Sequence, residues 1–248
     1  MPLSLSLPAT AIRTLFDGLV ELVWPAHCPS CSDPVPGRQS FCSTCAISIE
    51  PIASPCPRCG LPLPNPSPGL SPPCLSCQRS PPPWSTLRSP LAFAGSLSVA
   101  VRRWKLHPEP ALTAPLAELL APSLSAFSQA DAIVPVPLHP RRLRQREFNQ
   151  AGSLARAARR LARSPLPVEE LLDRAHDTPP QHHLPAGERR SNVRRAFVAP
   201  RPSRVRGRHL VLVDDVVTTG ATVDACTRTL LRAGASRVDI LALARTLP

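Results

Sequence analysis

The stretch that decides the fold of this chain runs from residue 210 to residue 224 and reads LVLVDDVVTTGATVD. Its first four residues are apolar, so both faces are apolar, as a central parallel strand covered by helices on either side requires. Two carboxylates and a turn rich in hydroxyls follow. From Val223 to Ala233 the apolar residues recur at helical spacing, and Gly234 is a stop signal. The stretch therefore predicts a strand, a polar loop and a helix in immediate succession.

The loop between this strand and this helix has the composition of a phosphate-binding turn. Its glycine permits a backbone conformation that other residues avoid, and successive N–H groups around it can form an anion site at the positive end of the helix dipole. The carboxylates cannot bind that phosphate, since like charges repel, and need hydroxyls, a metal ion or an arginine. An ordinary polar turn is the alternative, which the acidic pair disfavours. The loop residues are Thr218, Thr219, Gly220, Ala221 and Thr222, preceded by Asp214 and Asp215.

Eight of the nine cysteines form four Cys-x-x-Cys pairs. Two such pairs complete a tetrahedral site without an open position, so we expect two structural zinc ions, each contributing about 10–16 kcal/mol to folding. Disulfides are the alternative, but they need an oxidising compartment, and no export signal is recognised. Pairing in sequence order closes the shortest loops and is favoured over interleaved pairing. The ligand pairs are Cys28 and Cys31, Cys42 and Cys45, Cys56 and Cys59, and Cys74 and Cys77.

The charge is concentrated in one part of the chain. The formal net charge is +12, and residues 133–210 hold 17 arginines against 6 acidic residues. Such a region suggests phosphate-bearing partners, although a GC-rich coding bias would also produce 28 arginines and 34 prolines. The single lysine, Lys105, stands out against that bias. Either chance retained it, or a compact ammonium is needed for a phosphate.

The chain divides into four predicted regions. Residues 1–25 contain an amphipathic helix at 10–24, whose charges exclude a membrane span or signal peptide, so we expect a cytoplasmic protein without an integral membrane segment. Residues 26–79 form the zinc ribbons, 80–90 a proline-rich linker, and 91–248 an α/β domain. There, strands alternating with helices predict a doubly wound parallel sheet with ligands at its carboxyl edge. Further strands are expected at 91–94, 132–137, 196–198 and 238–243, and helices at 96–106, 112–121 and 148–162, the last with Ala151, Ala155, Ala158 and Leu161 inward.

Segment 211–225 resembles the phosphoribosyl diphosphate (PRPP) binding motif of type I phosphoribosyltransferases. In that family the loop holds the 5-phosphate and the acids face the ribose hydroxyls, so the resemblance implies that Asp214 and Asp215 are the catalytic pair. Other motifs narrow the resemblance to the ComF-type bacterial competence proteins. The chain departs from that family at Glu147, where the family more often has glycine. These motifs are Val-Pro-Val-Pro-Leu-His-Pro at 134–140, Arg-Glu-Phe-Asn-Gln at 146–150, Gln181, Arg189, Asn192-Val193 and Phe197, and the cysteine-rich N-terminus.

The resemblance also implies a pyrophosphate side of the site, after the strand at 132–137. Arg142 is the first choice there, because a guanidinium fork matches phosphate oxygens. His139 can donate to a phosphate, or it is a surface residue of a turn. The ComF resemblance places a lysine at Lys105, which favours a functional role. Segment 173–192 is interpreted as a lid that closes over PRPP or, alternatively, as a disordered loop.

Three functions stay open on the sequence. The ComF resemblance implies PRPP binding, with Mg²⁺ on the diphosphate, in handling single-stranded DNA with other competence proteins during DNA uptake. The second is an active phosphoribosyltransferase that joins a base to ribose 5-phosphate and releases pyrophosphate. The third is a non-catalytic scaffold. No base-binding segment is recognised, so no base can be named.

Overall fold

The computed structural model describes residues 26–35, 39–64, 72–106, 110–138, 148–175 and 196–248. The helix predicted at 10–24 and most of the predicted lid lie outside the described residues. Within them the helices are α1 (Ser43–Ile47), α2 (Leu75–Arg79), α3 (Gly95–Leu106), α4 (Thr113–Leu120), α5 (Gln150–Leu161) and α6 (Ala221–Arg232), with 3-10 turns at Pro110–Leu112, Ala121–Phe127 and Pro202–Arg204. The strands are β1 (Leu87–Arg88), β2 (Leu91–Ala92), β3 (Ala132–Pro135), β4 (Asp173–Arg174), β5 (Phe197–Val198), β6 (His209–Val217) and β7 (Arg237–Arg245).

The main sheet is parallel and centred on β6 and β7. Its order is β1-β7-β6-β3, and β2 also runs alongside β7. Leu212 of β6 lies opposite Ile240 of β7 and Val134 of β3. The apolar run that begins at residue 210 is therefore a central strand, as predicted.

Successive residues of β6 enter two different cores, because side chains alternate across a strand. Val211 and Val213 pack with α3, α4 and α5 on one face of the sheet. Leu210 and Leu212 pack with α6 on the other face. Burying a side chain of this size contributes about 1.5–3 kcal/mol, so both faces stabilise the strand. This confirms the doubly wound arrangement.

The ordered sheet begins inside the segment predicted as a linker. Leu87 and Arg88 form β1, and Leu87 lies opposite Ile240. Trp84 and Leu87 are both buried in the core beneath α6. These two apolar side chains keep the second half of segment 80–90 attached to the sheet, despite its prolines.

Two further sequence-based expectations need correction. The strand predicted at 196–198 does not join the parallel sheet; β5 pairs antiparallel with β4. It buries Phe197 but leaves Val198 42% exposed, the alternation of a strand with one face in solvent. In α5, Ala151, Ala155 and Ala158 are buried as expected, whereas Leu161 is 49% exposed because the helix ends there.

The two cysteine-rich units repeat one local structure. In the first, the N–H of Cys28 donates to the carbonyl of Asp33; in the second, the N–H of Cys56 donates to the carbonyl of Leu61. A short helix then follows a cysteine in extended conformation, Cys42 before α1 with ψ 157° and Cys74 before α2 with ψ 158°. The units are structural duplicates, so differences between them reflect what each one contacts.

The two units contact different parts of the α/β domain. The first lies on α3 and α4, where Arg103 donates to the hydroxyl of Ser32 and the hydroxyl of Ser40 donates to Glu118. The second lies on β1, where the N–H of Leu87 donates to the carbonyl of Pro57 over 3.0 Å. The second unit is therefore the one beside the loop after β6.

Candidate functional site

Each cysteine-rich unit brings four thiols together, in the sequential pairing that was favoured. The Sγ atoms of each group lie within 4.8 Å of one another. Cys31 and Cys42 are 3.6 Å apart, and Cys59 and Cys74 are 3.7 Å apart. A zinc–sulfur distance of about 2.3 Å gives tetrahedral edges of about 3.8 Å, so both groups fit zinc. The groups are Cys28, Cys31, Cys42 and Cys45, and Cys56, Cys59, Cys74 and Cys77.

The thiols of each group differ in pKa, which is lowered for the first cysteine of each group and raised for Cys31, Cys42, Cys59 and Cys77. Burial opposes ionisation of Cys28 and Cys56, but surrounding backbone N–H groups outweigh it and lower the pKa of Cys28 to about 6 and that of Cys56 to about 7. A thiolate is the form that binds metal. With no ligand position left open, the two groups are structural zinc sites.

The polar loop after β6 turns directly into α6. Thr218 and Thr219 are exposed, and Gly220 precedes the helix with φ 82° and ψ 2°, a left-handed conformation that favours glycine. Gly220 offers no capping side chain, and the N–H of Ala221 donates to the hydroxyl of Thr219 over 3.4 Å. The N–H groups of the next two residues of α6 are available to an anion at the carboxyl edge of the sheet.

The acidic pair lies at the end of β6, with one carboxylate on each face of the sheet. Asp215 meets Lys105 of α3, whose Nζ is 2.6 Å from Oδ2 of Asp215. Asp214 lies on the other face of the sheet, which α6 covers. There, burial and then the negative charge of Asp214 raise the pKa of the Cys226 thiol. Cys226 is fully buried, as expected for an inert core thiol. The strand period thus gives two adjacent aspartates different surroundings.

Asp214 differs from an ordinary carboxyl group in its titration. Burial, followed by the charge of Asp215, raises the pKa of Asp214 to about 8, and Lys105 acts in the opposite direction. A cation or a hydroxyl donor beside the pair would favour the charged form.

The structure brings most of the predicted site residues together. The loop from Thr218 to Thr222 continues β6 beyond the acidic pair, and Lys105 reaches the pair from the last turn of α3. His139 and Arg142, predicted for the pyrophosphate side, lie outside the described residues. In sequence order they follow β3, the strand that neighbours β6.

Sequence reasoning missed Arg245, the last residue of β7. Its side chain is buried and donates to the carbonyl of Cys59 over 3.1 Å, to that of Val217 over 2.9 Å and to that of Thr218. Burial lowers the pKa of this guanidinium. One arginine among 28 gives no sequence signal, so only the fold identifies it.

A cavity of about 400 Å³ lies between the polar loop and the second zinc site. Trp84 forms one side of it; a Cβ atom built on Gly220 would lie 3.5 Å from the Trp84 ring. The indole N–H of Trp84 donates to the carbonyl of Arg58, which lies between two zinc ligands. The zinc ribbon thus forms part of the wall beside the loop. The lining includes Cys59, Ser76, Trp84, Thr219, Gly220 and Arg228.

Known domain families match both parts of this architecture. Residues 19–78 match the double zinc ribbon domain, and residues 152–247 match the phosphoribosyl transferase domain. The fold and the site together therefore define a phosphoribosyltransferase-fold protein with an N-terminal double zinc ribbon.

Full-length relatives identify the family more closely. The DNA utilization protein YhgH of Salmonella typhimurium is 36% identical over 233 residues, covering 91% of this chain and 100% of that protein. Competence protein F of Haemophilus influenzae is 28% identical over 215 residues, covering 84% of this chain and 91% of that protein. The chain belongs to this family of DNA utilization and ComF-type competence proteins.

Among solved structures, the glutamine PRPP amidotransferase from B. subtilis is 23% identical, with a TM-score of 0.35 over 52% of this chain and 26% of that one.

Within the described part of the present chain, no helix has both the length and the apolar character needed to cross a bilayer.

Proposed function

We propose that this chain binds PRPP at the carboxyl edge of the main sheet and serves in the uptake or use of DNA. The loop 218–222 receives the 5-phosphate, and Asp214 and Asp215 face the ribose hydroxyls. The observation that carries the proposal is the grouping of this loop with the acidic pair and Lys105, 2.6 Å from Asp215. Hydroxyl donors suit the carboxylates, and an anionic phosphate suits the loop and the ammonium.

Mg²⁺ is part of this proposal. A diphosphate carries several negative charges, and Mg²⁺ commonly binds through phosphate oxygens with one or two carboxylates. Asp214 and Asp215 are the described carboxylates that would face such an ion. His139 and Arg142 remain predictions for the pyrophosphate side.

Single-stranded DNA is the proposed macromolecular partner. The relatives are named for DNA utilization and competence. Arg160 of the present chain lies in the last turn of α5 and Arg163 just beyond its end, and both are exposed, which gives a positive patch suited to a phosphate backbone. Eight zinc-binding thiolates need reducing conditions, which supports a cytoplasmic location.

Titration calorimetry with PRPP and Mg²⁺ tests the small-molecule part of the proposal. We expect the wild type to bind and both Asp214→Asn and Asp215→Asn to lose at least about tenfold in affinity, equivalent to about 1.4 kcal/mol. Asp131→Asn is the matched control, because Asp131 lies just before β3 at the opposite edge of the sheet. Absence of heat from the wild type at millimolar PRPP would favour the scaffold instead.

Whether the protein consumes PRPP is tested by a separate experiment. Pyrophosphate release on adding a panel of bases would establish the transferase alternative, in which the site acts by positioning and by stabilising charge as pyrophosphate leaves. Binding without release would identify PRPP as a bound ligand only.

The salt dependence of single-strand affinity tests the DNA part. Replacing Arg160 and Arg163 by glutamine should lower the slope of log affinity against log salt by about 1.4, because each phosphate contact contributes about 0.7 for single strands. Arg201 and Arg206, two exposed arginines before β6 at the amino edge of the sheet, provide the matched double control. A wild-type affinity indifferent to salt would contradict a phosphate-driven mode.

A further inference from the structure

Arg245 connects the second zinc site to the polar loop. Its Nε donates to the carbonyl of Cys59, a zinc ligand, over 3.1 Å. Its Nη1 donates to the carbonyls of Val217 and Thr218, the residues at which β6 passes into the loop. A single rigid guanidinium therefore holds two segments that are remote in sequence.

These bonds orient the N–H groups of the loop. The carbonyl of Val217 and the N–H of Thr218 belong to one planar peptide and point in opposite directions. The same holds for the carbonyl of Thr218 and the N–H of Thr219. Because Arg245 holds the carbonyl of Thr218 towards itself, the N–H of Thr219 faces away from it. The carbonyl of Val217 is held both by Arg245 and by the backbone N–H of Thr246, over 3.0 Å. Donors held in place before an anion arrives bind it at lower entropic cost.

Other contacts of the second zinc ribbon support the same side of the loop. Arg58 donates to the carbonyls of Pro82 and Ser85 over 2.9 and 3.0 Å, and it accepts the indole N–H of Trp84 at its own carbonyl. Trp84 in turn lies against Gly220. Among the described residues, the hydrogen bonds between the first zinc ribbon and the α/β domain go to α3, α4 and the segment around β2 instead.

We infer that Arg245 is a positioning residue that makes the anion affinity of loop 218–222 depend on zinc at the second site. Zinc holds the turn that contains Cys59, that turn holds Arg245, and Arg245 holds the loop carbonyls. The inference deepens the proposed PRPP site and rests on it for its ligand. By linkage, a ligand in the loop also raises the affinity of the second site for zinc, and not that of the first.

The two ribbons provide a matched pair of variants for the test. Cys42→Ser and Cys74→Ser change equivalent ligands, each directly before a short helix, in the first and second site respectively. Arg245→Gln removes the guanidinium and keeps all zinc ligands, with Arg88→Gln of neighbouring β1 as its control for lost charge. Arg245→Lys keeps the charge but not the fork. Zinc content is measured for every variant.

The first readout is amide hydrogen exchange of residues 218–222 in the ligand-free, full-length chain. Cys74→Ser and Arg245→Gln should accelerate exchange of these residues, whereas Cys42→Ser and Arg88→Gln should leave it unchanged. The second readout is PRPP affinity, which should fall by about 5- to 150-fold in the first two variants only, the usual range for coupled sites. Arg245→Lys should restore part of both effects.

The inference would be overturned if residues 218–222 exchanged at the same rate in Cys42→Ser as in Cys74→Ser. It would also be overturned if they exchanged at the same rate in Arg245→Gln as in Arg88→Gln. If Cys74→Ser does not fold, the two arginine variants decide alone, since their zinc sites are intact. Failure of the wild type to bind PRPP would refute the proposed ligand, while the exchange comparison would still decide whether the zinc site orders the loop.

Discussion

The ammonium nitrogen of Lys105 lies 2.6 Å from Oδ2 of Asp215, so the single lysine of the chain pairs with the second residue of the acidic pair. The lysine side chain is 26% exposed and the aspartate side chain 12%, so the ion pair is only partly screened by solvent. α3 brings this lysine across more than 100 residues of sequence to the end of β6. The pairing with Lys105 and the raised pKa of Asp214 together explain how two adjacent carboxyl groups are tolerated.

Lys105→Met should weaken PRPP binding about tenfold or more, because the ligand loses a positive charge and Asp215 loses its counterion. The same change should raise the pKa of Asp214 further, since Lys105 lowers it in the wild type. Calorimetry and carboxyl NMR measure the two effects. Arg103→Gln removes a charge from the same turn and should change neither the PRPP affinity nor the pKa of Asp214, because the Arg103 guanidinium contacts Ser32 instead.

The contribution of Asp214 to the stability of the ligand-free protein should fall as the pH rises from about 4 to about 8. The ordinary pKa of an aspartate is about 3.9, and that of Asp214 is raised to about 8. In this window Asp214 holds its proton in the folded state but not in the unfolded state. Its contribution to the free energy of unfolding therefore falls by up to about 1.4 kcal/mol per pH unit.

Urea unfolding at pH 5, 7 and 9 checks this effect through Asp214→Asn, which cannot ionise. The variant should gain stability relative to the wild type as the pH rises, and most of the gain should be present at pH 9. If the free energies of unfolding of the wild type and the variant differ by the same amount at all three pH values, the raised pKa of Asp214 is contradicted.

Gly220→Ala should destabilise the protein by about 1–2 kcal/mol and weaken PRPP binding, because an L-residue resists φ 82° at the start of α6. Gly207→Ala is the matched control: its φ is 75°, and nothing lies within 4 Å of an added Cβ. Both variants should lose similar stability in thermal unfolding, and only Gly220→Ala should lose affinity. Equal affinities would place the ligand away from the loop.

Gly60→Ala should cost about 1–3 kcal/mol, because contact with Leu87 adds to the strain of an L-residue at positive φ. Ser32, its counterpart in the first unit, has φ 70° against 72° for Gly60, so the conformation is accessible to a non-glycine residue. At Gly60, however, an added Cβ would lie 2.6 Å from Cδ2 of the buried Leu87.

A double-mutant cycle with Leu87→Ala separates the two causes. The cost of Gly60→Ala should shrink when Leu87 is truncated, because the obstructing atom is gone. An unchanged cost would assign the effect to the backbone instead. Ser32→Gly should change the free energy of unfolding by only a few tenths of a kcal/mol.

The local patterns of the sequence predicted the zinc ligands and the order of strand, loop and helix around residue 220. Both depend on short-range geometry: two thiols three residues apart can reach one ion, and an apolar run that ends in a glycine turn leads into a helix. The same reasoning failed where burial depends on distant partners. Leu161 has the helical spacing of a core residue but lies where α5 ends, and β5 pairs with β4 rather than with the parallel sheet.

The sequence by itself determined the chemistry available to this protein, namely eight thiols for two zinc ions and a hydroxyl-rich loop that follows an acidic pair. Only the tertiary structure decided which residues support that chemistry. Arg245 bonds to Cys59 across 186 residues, and Lys105 reaches Asp215 from a separate helix. No spacing rule connects such residues, because their proximity results from sheet pairing and helix packing rather than from the local conformation of the chain.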